Sequence, residues 1–169
     1  MRVIGGKLRG KLIHNPTDKT TRPLKDMVRE SIFNILEHSK NEKIKFKNDV
    51  VLDLFSGSGS FGIECLSRGV KKVFFFENYK PSLKVLEKNI KELEIDKDSV
   101  IKEINAYEIS KENIDNEKIN LIYLDPPFKD KNINKLLRKI LDLKIAHKNT
   151  LIILHSCLLY TSPSPRDRS

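Results

Sequence analysis

The tetrapeptide Asp125-Pro126-Pro127-Phe128 carries groups suited to chemistry on a planar amine. Its prolines lack backbone N–H groups and hold an extended turn, so their carbonyl oxygens can accept hydrogen bonds beside the Asp125 carboxylate. Such acceptors can hold both hydrogens of an exocyclic amino group while Phe128 stacks on the base. The amine lone pair can then attack an electrophilic methyl group, and Asp125 can stabilise the positive charge that develops. We predict these four residues to be catalytic; the alternative is a strand-ending turn with a packed aromatic ring.

A glycine-rich turn predicts the binding site of a nucleoside-containing cofactor. The apolar run 50–54 leads into Gly57-x-Gly59-x-x-Gly62 and then into a segment with helical spacing. In such a turn glycines let the backbone approach a ligand, and the helix that follows offers unpaired N–H groups. About twenty residues further on, Glu77 closes a second apolar run, where a carboxylate can accept both ribose hydroxyls. The turn by itself leaves S-adenosylmethionine and a nicotinamide dinucleotide open.

Regular alternation of apolar runs and helical patterns predicts an α/β fold. Successive strands joined by helices give a mostly parallel sheet with helices on both faces, a Rossmann-like architecture. The predicted strands cover 50–54, 73–76, 100–104, 121–124 and 151–154, and the predicted helices begin near Phe61, at Pro81 and at Ile133. Ligands of such sheets lie at the carboxyl ends of the strands. Asp53, Glu77, Asn105 and Asp125 are all expected at those ends.

Composition indicates a basic protein with an anionic partner. The chain has 169 residues, with 32 Lys and Arg against 23 Asp and Glu, a formal net charge of +9. This excess favours a polyanion, although a solvated, lysine-rich surface would also account for it. Cys65 and Cys157 are far apart and lack metal-ligand spacing, which argues against a disulfide framework or a zinc site. Without a signal-like or membrane-length apolar run, we expect a cytoplasmic protein with no membrane association.

The basic excess is concentrated near the N-terminus. Residues 1–31 hold eight basic and three acidic side chains. Residues 2–13 read as two short strands joined by a glycine turn, a hairpin that could grip phosphates or simply be a solubilised edge. A helix with Val28, Ile32, Ile35 and Leu36 on one face follows. The predicted RNA-binding side chains are Arg2, Lys7, Arg9, Lys11, Arg22, Lys25 and Arg29.

In combination, these motifs resemble the RsmD family of 16S rRNA guanine methyltransferases. The resemblance rests on residues 2–10, Arg22-Pro23 through Leu36, Leu52 through Glu64, and Asp125 through Phe128. It implies the class I fold, S-adenosylmethionine as cofactor, an exocyclic guanine nitrogen as acceptor, and the small ribosomal subunit or its assembly intermediate as partner of a monomer. It also implies contacts from Asn105 and Ala106 near the adenine. The predicted cofactor site comprises Asp53, Phe55, Gly57, Gly59, Glu77, Asn78, Asn105, Ala106 and Asp125; no metal is expected.

Two positions depart from the family pattern. Leu24-Lys25 stand where the family commonly has threonines, which puts the cap of the following helix in doubt. Asn105 stands where many methyltransferases have Asp, and an amide oxygen can still accept from an adenine amine.

Three other functions remain open. Asp-Pro-Pro-Phe indicates a planar amine without saying which one, so DNA adenine or a protein amide is possible. A non-catalytic RNA-binding domain would not need the intact Asp125 and glycine turn. A nicotinamide oxidoreductase would leave Asp125 to Phe128 unexplained.

The ends of the chain differ in composition from its middle. We divide it into an N-terminal basic extension (1–48), a methyltransferase core (49–156) and a tail (157–169). The tail is rich in serine and proline, which predicts disorder, and resembles a foreign sequence on a shortened gene product. The family fold continues beyond the fifth strand, so we expect an incomplete core of reduced stability.

Overall fold

A five-stranded parallel sheet forms the centre of the protein in the computed structural model, which describes residues 1–17, 26–38, 44–127 and 130–155. The strands lie in the order β3-β2-β1-β4-β5, and every pair is parallel. Their bounds are β1 Val50–Leu54, β2 Lys72–Phe76, β3 Ser99–Lys102, β4 Leu121–Leu124 and β5 Leu151–Leu154. The predicted α/β class is confirmed.

The helices cover both faces of this sheet, because neighbouring strand residues point to opposite sides. They are α1 Asp26–His38, α2 Ser60–Ser67, α3 Lys80–Glu92 and α4 Ile133–Asp142. Val51, Val73 and Phe75 share one apolar cluster with residues of α1, α2 and α3. Leu52 and Phe74 share the other with residues of α4. The three inner strands β1, β2 and β4 are therefore mostly apolar and buried on both sides, whereas β3 and β5 at the edges are only partly buried.

Gly62 allows α2 to lie directly on the sheet. A Cβ atom at this position would stand 2.3 Å from Cε1 of Phe75 in β2. Any side chain would push the helix away from the strand. The N-terminus of α2, with its unpaired N–H groups, is thereby fixed beside the carboxyl end of β1.

The N-terminal segment differs from the predicted pair of strands. Only one antiparallel bridge joins Arg2 to Leu12, and a 3₁₀ helix spans Gly6–Leu8 between them. Three backbone hydrogen bonds still join the two arms, and side chains of α2 bind N–H groups of the turn between them. The Glu64 carboxylate accepts from Ile4 (2.8 Å) and Gly5 (2.7 Å), and Ser67 Oγ accepts the Leu8 N–H group at 2.9 Å.

The N-terminal residues also share the main core. Val3, Ile13 and Phe33 belong to the same apolar cluster as the sheet residues. Buried Glu64 additionally accepts from Arg68 Nε at 3.0 Å, and Arg68 pairs with Glu37 of α1. Apolar packing, the hydrogen bonds to Glu64 and the Arg68–Glu37 ion pair thus tie this segment and α1 to α2.

No helix of the described ranges is long and apolar enough to cross a membrane.

Candidate active site

The candidate site lies at the carboxyl ends of β1 and β4, the two central strands between which the strand order reverses. This switch point is where open α/β sheets bind ligands. Asp53 is the penultimate residue of β1, and Asp125 directly follows β4. The Asp125 N–H group donates to Leu54 O at 3.4 Å, which brings the two strand ends together.

The glycine-rich turn leaves open space for a ligand. Phe55, Gly57 and Gly59 all have left-handed backbones, with φ of 63°, 56° and 80°. A Cβ atom at Gly57 would meet no heavy atom within 4 Å, so a bound molecule can approach the backbone there. Oδ2 of Asp53 accepts the Gly62 N–H group at 3.0 Å, so this carboxylate caps the start of α2.

Glu77 is held in place by the backbone around it. Its Oε2 accepts the Gly57 N–H group at 2.7 Å, and its Oε1 accepts those of Asn78 (2.9 Å) and Tyr79 (2.8 Å). The carboxylate therefore joins the end of β2 to the glycine-rich turn. Burial raises the pKa of Glu77, and these three hydrogen bonds oppose that rise.

Three carboxyl groups concentrate negative charge at this edge of the sheet. The pKa of Asp53 is raised well above its usual range, first by burial and then by the charges of Asp125 and Glu77. Burial also raises the pKa of Asp125, whereas a hydrogen bond from His155 lowers it. Like charges in a partly desolvated site favour a cationic ligand over an anionic one.

Asn105 and Ala106 lie beyond the third strand, which ends at Lys102 instead of near Asn105. Exposed Asn105 caps a 3₁₀ helix, and its Oδ1 accepts the Tyr107 N–H group at 3.0 Å. Ala106 is buried. The Tyr107 ring lies 6.0 Å edge-on from that of Phe55, so this stretch borders the glycine-rich turn.

A tyrosine connects this stretch to the turn after β4. The hydroxyl group of Tyr107 donates to the Asp130 carboxylate, with O–O distances of 2.7 and 2.8 Å. The Asp130 N–H group donates to Pro127 O at 2.9 Å. Pro126 is partly buried and Pro127 is exposed, whereas Phe128 lies outside the described residues. The structure therefore brings the predicted cofactor and catalytic segments to one edge of the sheet.

His155 belongs to this site although the sequence analysis did not select it. Its Nδ1 lies 2.8 Å from Asp125 Oδ1. The signal was available, because His155 directly follows the last residue of β5 and the carboxyl ends of neighbouring parallel strands meet.

The predicted RNA-binding side chains separate into exposed and buried groups. Arg2, Lys7, Arg9 and Lys11 are exposed on the N-terminal segment. Arg22 and Lys25 lie outside the described residues.

The expectation that Arg29 binds RNA does not fit this structure, because the Arg29 side chain is fully buried. It donates to Arg2 O, Met1 Sδ and Asp26 Oδ1, and so holds the start of the chain against α1. Its guanidinium group is not available to a phosphate in this structure.

The fold and the site define a Rossmann-like class I methyltransferase. A family profile described as Conserved hypothetical protein 95 matches residues 1–161, and the chain belongs to this family. The resemblance to RsmD proteins is thereby confirmed.

Relatives with curated names agree with this assignment. The ribosomal RNA small subunit methyltransferase D of Buchnera aphidicola subsp. Acyrthosiphon pisum is 30% identical over 152 residues, which is 90% of this chain and 75% of that protein. The candidate rRNA methyltransferase YlbH of Bacillus subtilis is 32% identical over 154 residues, 90% of this chain and 80% of that protein. The solved structure of the candidate methyltransferase YhhF of Escherichia coli superposes with a TM-score of 0.73 at 28% identity, covering 92% of this chain and 80% of that one.

Proposed function

We propose that this protein transfers a methyl group from S-adenosylmethionine to the exocyclic N2 amino group of a guanine in 16S rRNA. The observation that carries the proposal is the position of Asp125, Pro126 and Pro127 at the end of β4, beside the open glycine-rich turn after β1. The names of the small-subunit methyltransferase relatives support the rRNA substrate.

The charge of the site favours S-adenosylmethionine over a dinucleotide. The cofactor carries a positive sulfonium and a positive ammonium group, which suit a site formed by Asp53, Glu77 and Asp125. A nicotinamide dinucleotide would bring its anionic pyrophosphate to the same carboxylates. The residues present therefore fit the methyl donor.

Each predicted cofactor residue has a role in this fit. Three of the four lone pairs of the Glu77 carboxylate already accept N–H groups, and the remaining one, on Oε2, would accept a ribose hydroxyl. Open space at Gly57 admits the ligand, and the left-handed turn at Gly59 leads into α2. Contacts to the adenine and its surroundings would come from Asn105, Ala106, Phe55 and Asn78.

Asp125 and the proline carbonyls would hold the acceptor base. When bound, S-adenosylmethionine supplies the electrophilic methyl carbon. The carboxylate of Asp125 and a proline carbonyl accept the two amino hydrogens, which aims the nitrogen lone pair toward the cofactor side of the site. As the nitrogen would bond to the methyl carbon, the carbon–sulfur bond would break and its electron pair would stay on the departing neutral thioether, S-adenosylhomocysteine. The Asp125 carboxylate would stabilise the positive charge on nitrogen and accept or pass on the proton that is lost. Phe128 would stack on the base.

The exposed basic side chains of the N-terminal segment would bind the phosphate backbone. Arg2, Lys7, Arg9 and Lys11 offer four positive charges on one short segment, which is anchored to α2 through Glu64. Such contacts position the RNA without reading its sequence. We propose that the protein acts in the cytoplasm as a monomer, on the small subunit or on one of its assembly intermediates.

The test is transfer of a labelled methyl group to unmethylated small-subunit particles and to naked 16S rRNA, followed by nucleoside analysis. We expect N2-methylguanosine with the wild-type protein. Asp125→Asn should slow transfer by about 10²- to 10³-fold, the cost of losing one charge-stabilising group, while S-adenosylmethionine still binds. Methylation of adenine in DNA or of a protein amide instead of rRNA would refute the proposed substrate. An equal loss of binding and transfer would make Asp125 a structural residue.

Calorimetric titration tests the cofactor separately. We expect heat on addition of S-adenosylmethionine and none with a nicotinamide dinucleotide. The reverse result would refute the methyltransferase assignment.

A further inference from the structure

His155 makes a direct contact with the proposed catalytic carboxylate. The two residues follow β5 and β4, which are parallel neighbours. The His155 N–H group donates to Leu124 O at 2.8 Å, so the strand pairing extends one residue beyond β5. This extension sets Nδ1 of the imidazole 2.8 Å from Oδ1 of Asp125.

Asp125 needs this contact because of its surroundings. Its side chain is 27% exposed, and burial raises its pKa. A protonated carboxyl would present a hydrogen where the reaction needs an acceptor, and it could not stabilise a developing positive charge. A donor at Oδ1 favours the ionised form and leaves Oδ2 for the amino hydrogen.

We propose that His155 is a positioning residue that holds Asp125 ionised and oriented for methyl transfer. The proposal rests on the proposed function. The neutral imidazole carries its proton on Nδ1 and donates it to Oδ1, so that Asp125 remains an acceptor. His155 itself touches neither substrate nor cofactor.

Among the described residues, the other titratable groups near Asp125 do not favour its ionisation. The charge of Asp125 raises the pKa of Asp53 on β1, so Asp53 offers no stabilising charge. Tyr123 lies two residues earlier on β4, and burial raises the pKa of its phenol so that it stays neutral. The 34%-exposed side chain of His155 is therefore the one described side-chain partner that favours the carboxylate.

The position of the imidazole proton of His155 can be measured without an activity assay. Long-range ¹H–¹⁵N NMR of the intact protein, with the His155 signal assigned by its loss in His155→Leu, distinguishes the two imidazole tautomers. We expect the proton on Nδ1 at neutral pH. A proton on Nε2, with Nδ1 as acceptor, would mean that Asp125 is the donor and would overturn the proposal.

The pH dependence of single-turnover transfer tests the consequence. Activity falls as the pH drops through the pKa of Asp125, because the carboxylate is the working form. Loss of the donor in His155→Leu should raise that pKa. The acidic side of the pH–rate profile, called the acid limb below, should then shift upward by about one to two pH units, which is the range expected for a hydrogen bond to a charged group. Above the limb, its rate should approach that of the wild type.

Two matched variants control this experiment. His155→Asn keeps an N–H donor near the position of Nδ1 and should restore the wild-type limb. His38→Leu removes an exposed histidine at the end of α1 and should change nothing. An unshifted limb in His155→Leu, or the same shift in His155→Asn, would overturn the proposal. A wild-type protein that methylates no RNA would refute the proposed function instead, with the NMR result still deciding the contact.

Discussion

Replacing Glu64 by Gln should destabilise the protein and loosen its N-terminal segment. This fully buried carboxylate of α2 accepts the N–H groups of Ile4 and Gly5 and the Nε–H group of Arg68. All three partners are donors. Glutamine offers one accepting oxygen and places an NH₂ group where the second oxygen stood, so a donor faces a donor.

The expected loss follows from those bonds. Hydrogen bonds to a charged group contribute ~1.5–3 kcal/mol each, and a buried donor left unpaired costs a similar amount. Arg68 keeps its second carboxylate, Glu37, which limits the damage. We therefore expect the free energy of unfolding to fall by about 2–4 kcal/mol, a large share of the ~5–15 kcal/mol typical of a domain. The melting temperature should fall by roughly 4–16 °C.

Urea unfolding at pH 7 measures this change, and proteolysis reports on the N-terminal segment. Glu64→Gln should be cut within residues 1–17 sooner than the wild type. Glu92→Gln is the matched control, because Glu92 forms only exposed ion pairs with His14 and Lys88 and its loss should leave the midpoint unchanged. A loss below about 1 kcal/mol in Glu64→Gln would refute the argument that this carboxylate anchors the segment.

Three further tests, with four substitutions, concern the site and its surroundings. Glu77→Gln should weaken S-adenosylmethionine binding about tenfold or more in calorimetry, because an amide accepts hydroxyl hydrogens less well than a carboxylate; unchanged affinity would remove Glu77 from the ribose site. Asp53→Asn should stabilise the fold against urea at pH 7, because burial raises the pKa of this carboxyl and its ionisation opposes folding, while an amide oxygen can still accept from Gly62. The gain should shrink as the pH falls below that pKa and vanish near the ordinary pKa of an aspartate, and a loss of stability at neutral pH would contradict the reasoning. Arg9→Met should reduce the salt dependence of RNA binding by about one phosphate contact. Arg29→Met should leave that salt dependence unchanged and lower the free energy of unfolding by about 1–3 kcal/mol. The same reduction of the salt dependence in both variants would mean that both arginines bind RNA.

Local patterns in the sequence predict most of the sheet. The apolar runs at 50–54, 121–124 and 151–154 coincide with β1, β4 and β5, because short, mostly apolar runs of this length are typical of strands in a parallel sheet. The positions of Asp53, Glu77 and Asp125 at strand ends follow from the same runs together with the rule for ligands of parallel sheets. The third strand is shorter than predicted, because Asn105 caps a 3₁₀ helix and Ile104 lies outside the ladder.

The N-terminal segment shows where local pattern fails. Its alternation of apolar and basic residues is typical of a hairpin, yet side chains of α2 bind N–H groups of the turn, and a 3₁₀ helix takes the place of a longer ladder. Arg29 looked like a phosphate ligand because it lies in a basic stretch, but the fold buries it against the backbone at Arg2. Both outcomes depend on partners that are distant in the sequence.

The strand and helix pattern, the glycine-rich turn, the acidic strand ends and the family resemblance can all be read from the amino-acid sequence, because each depends on residues close together in the chain. The position of β5 beside β4, which brings His155 to Asp125, is visible only in the folded protein. The same is true of the anchoring of the N-terminus by Glu64 and of the burial of Arg29. The physical reason is that lateral strand order and side-chain contacts between residues about 30 to 60 positions apart are fixed by packing of the whole core, which no local periodicity encodes.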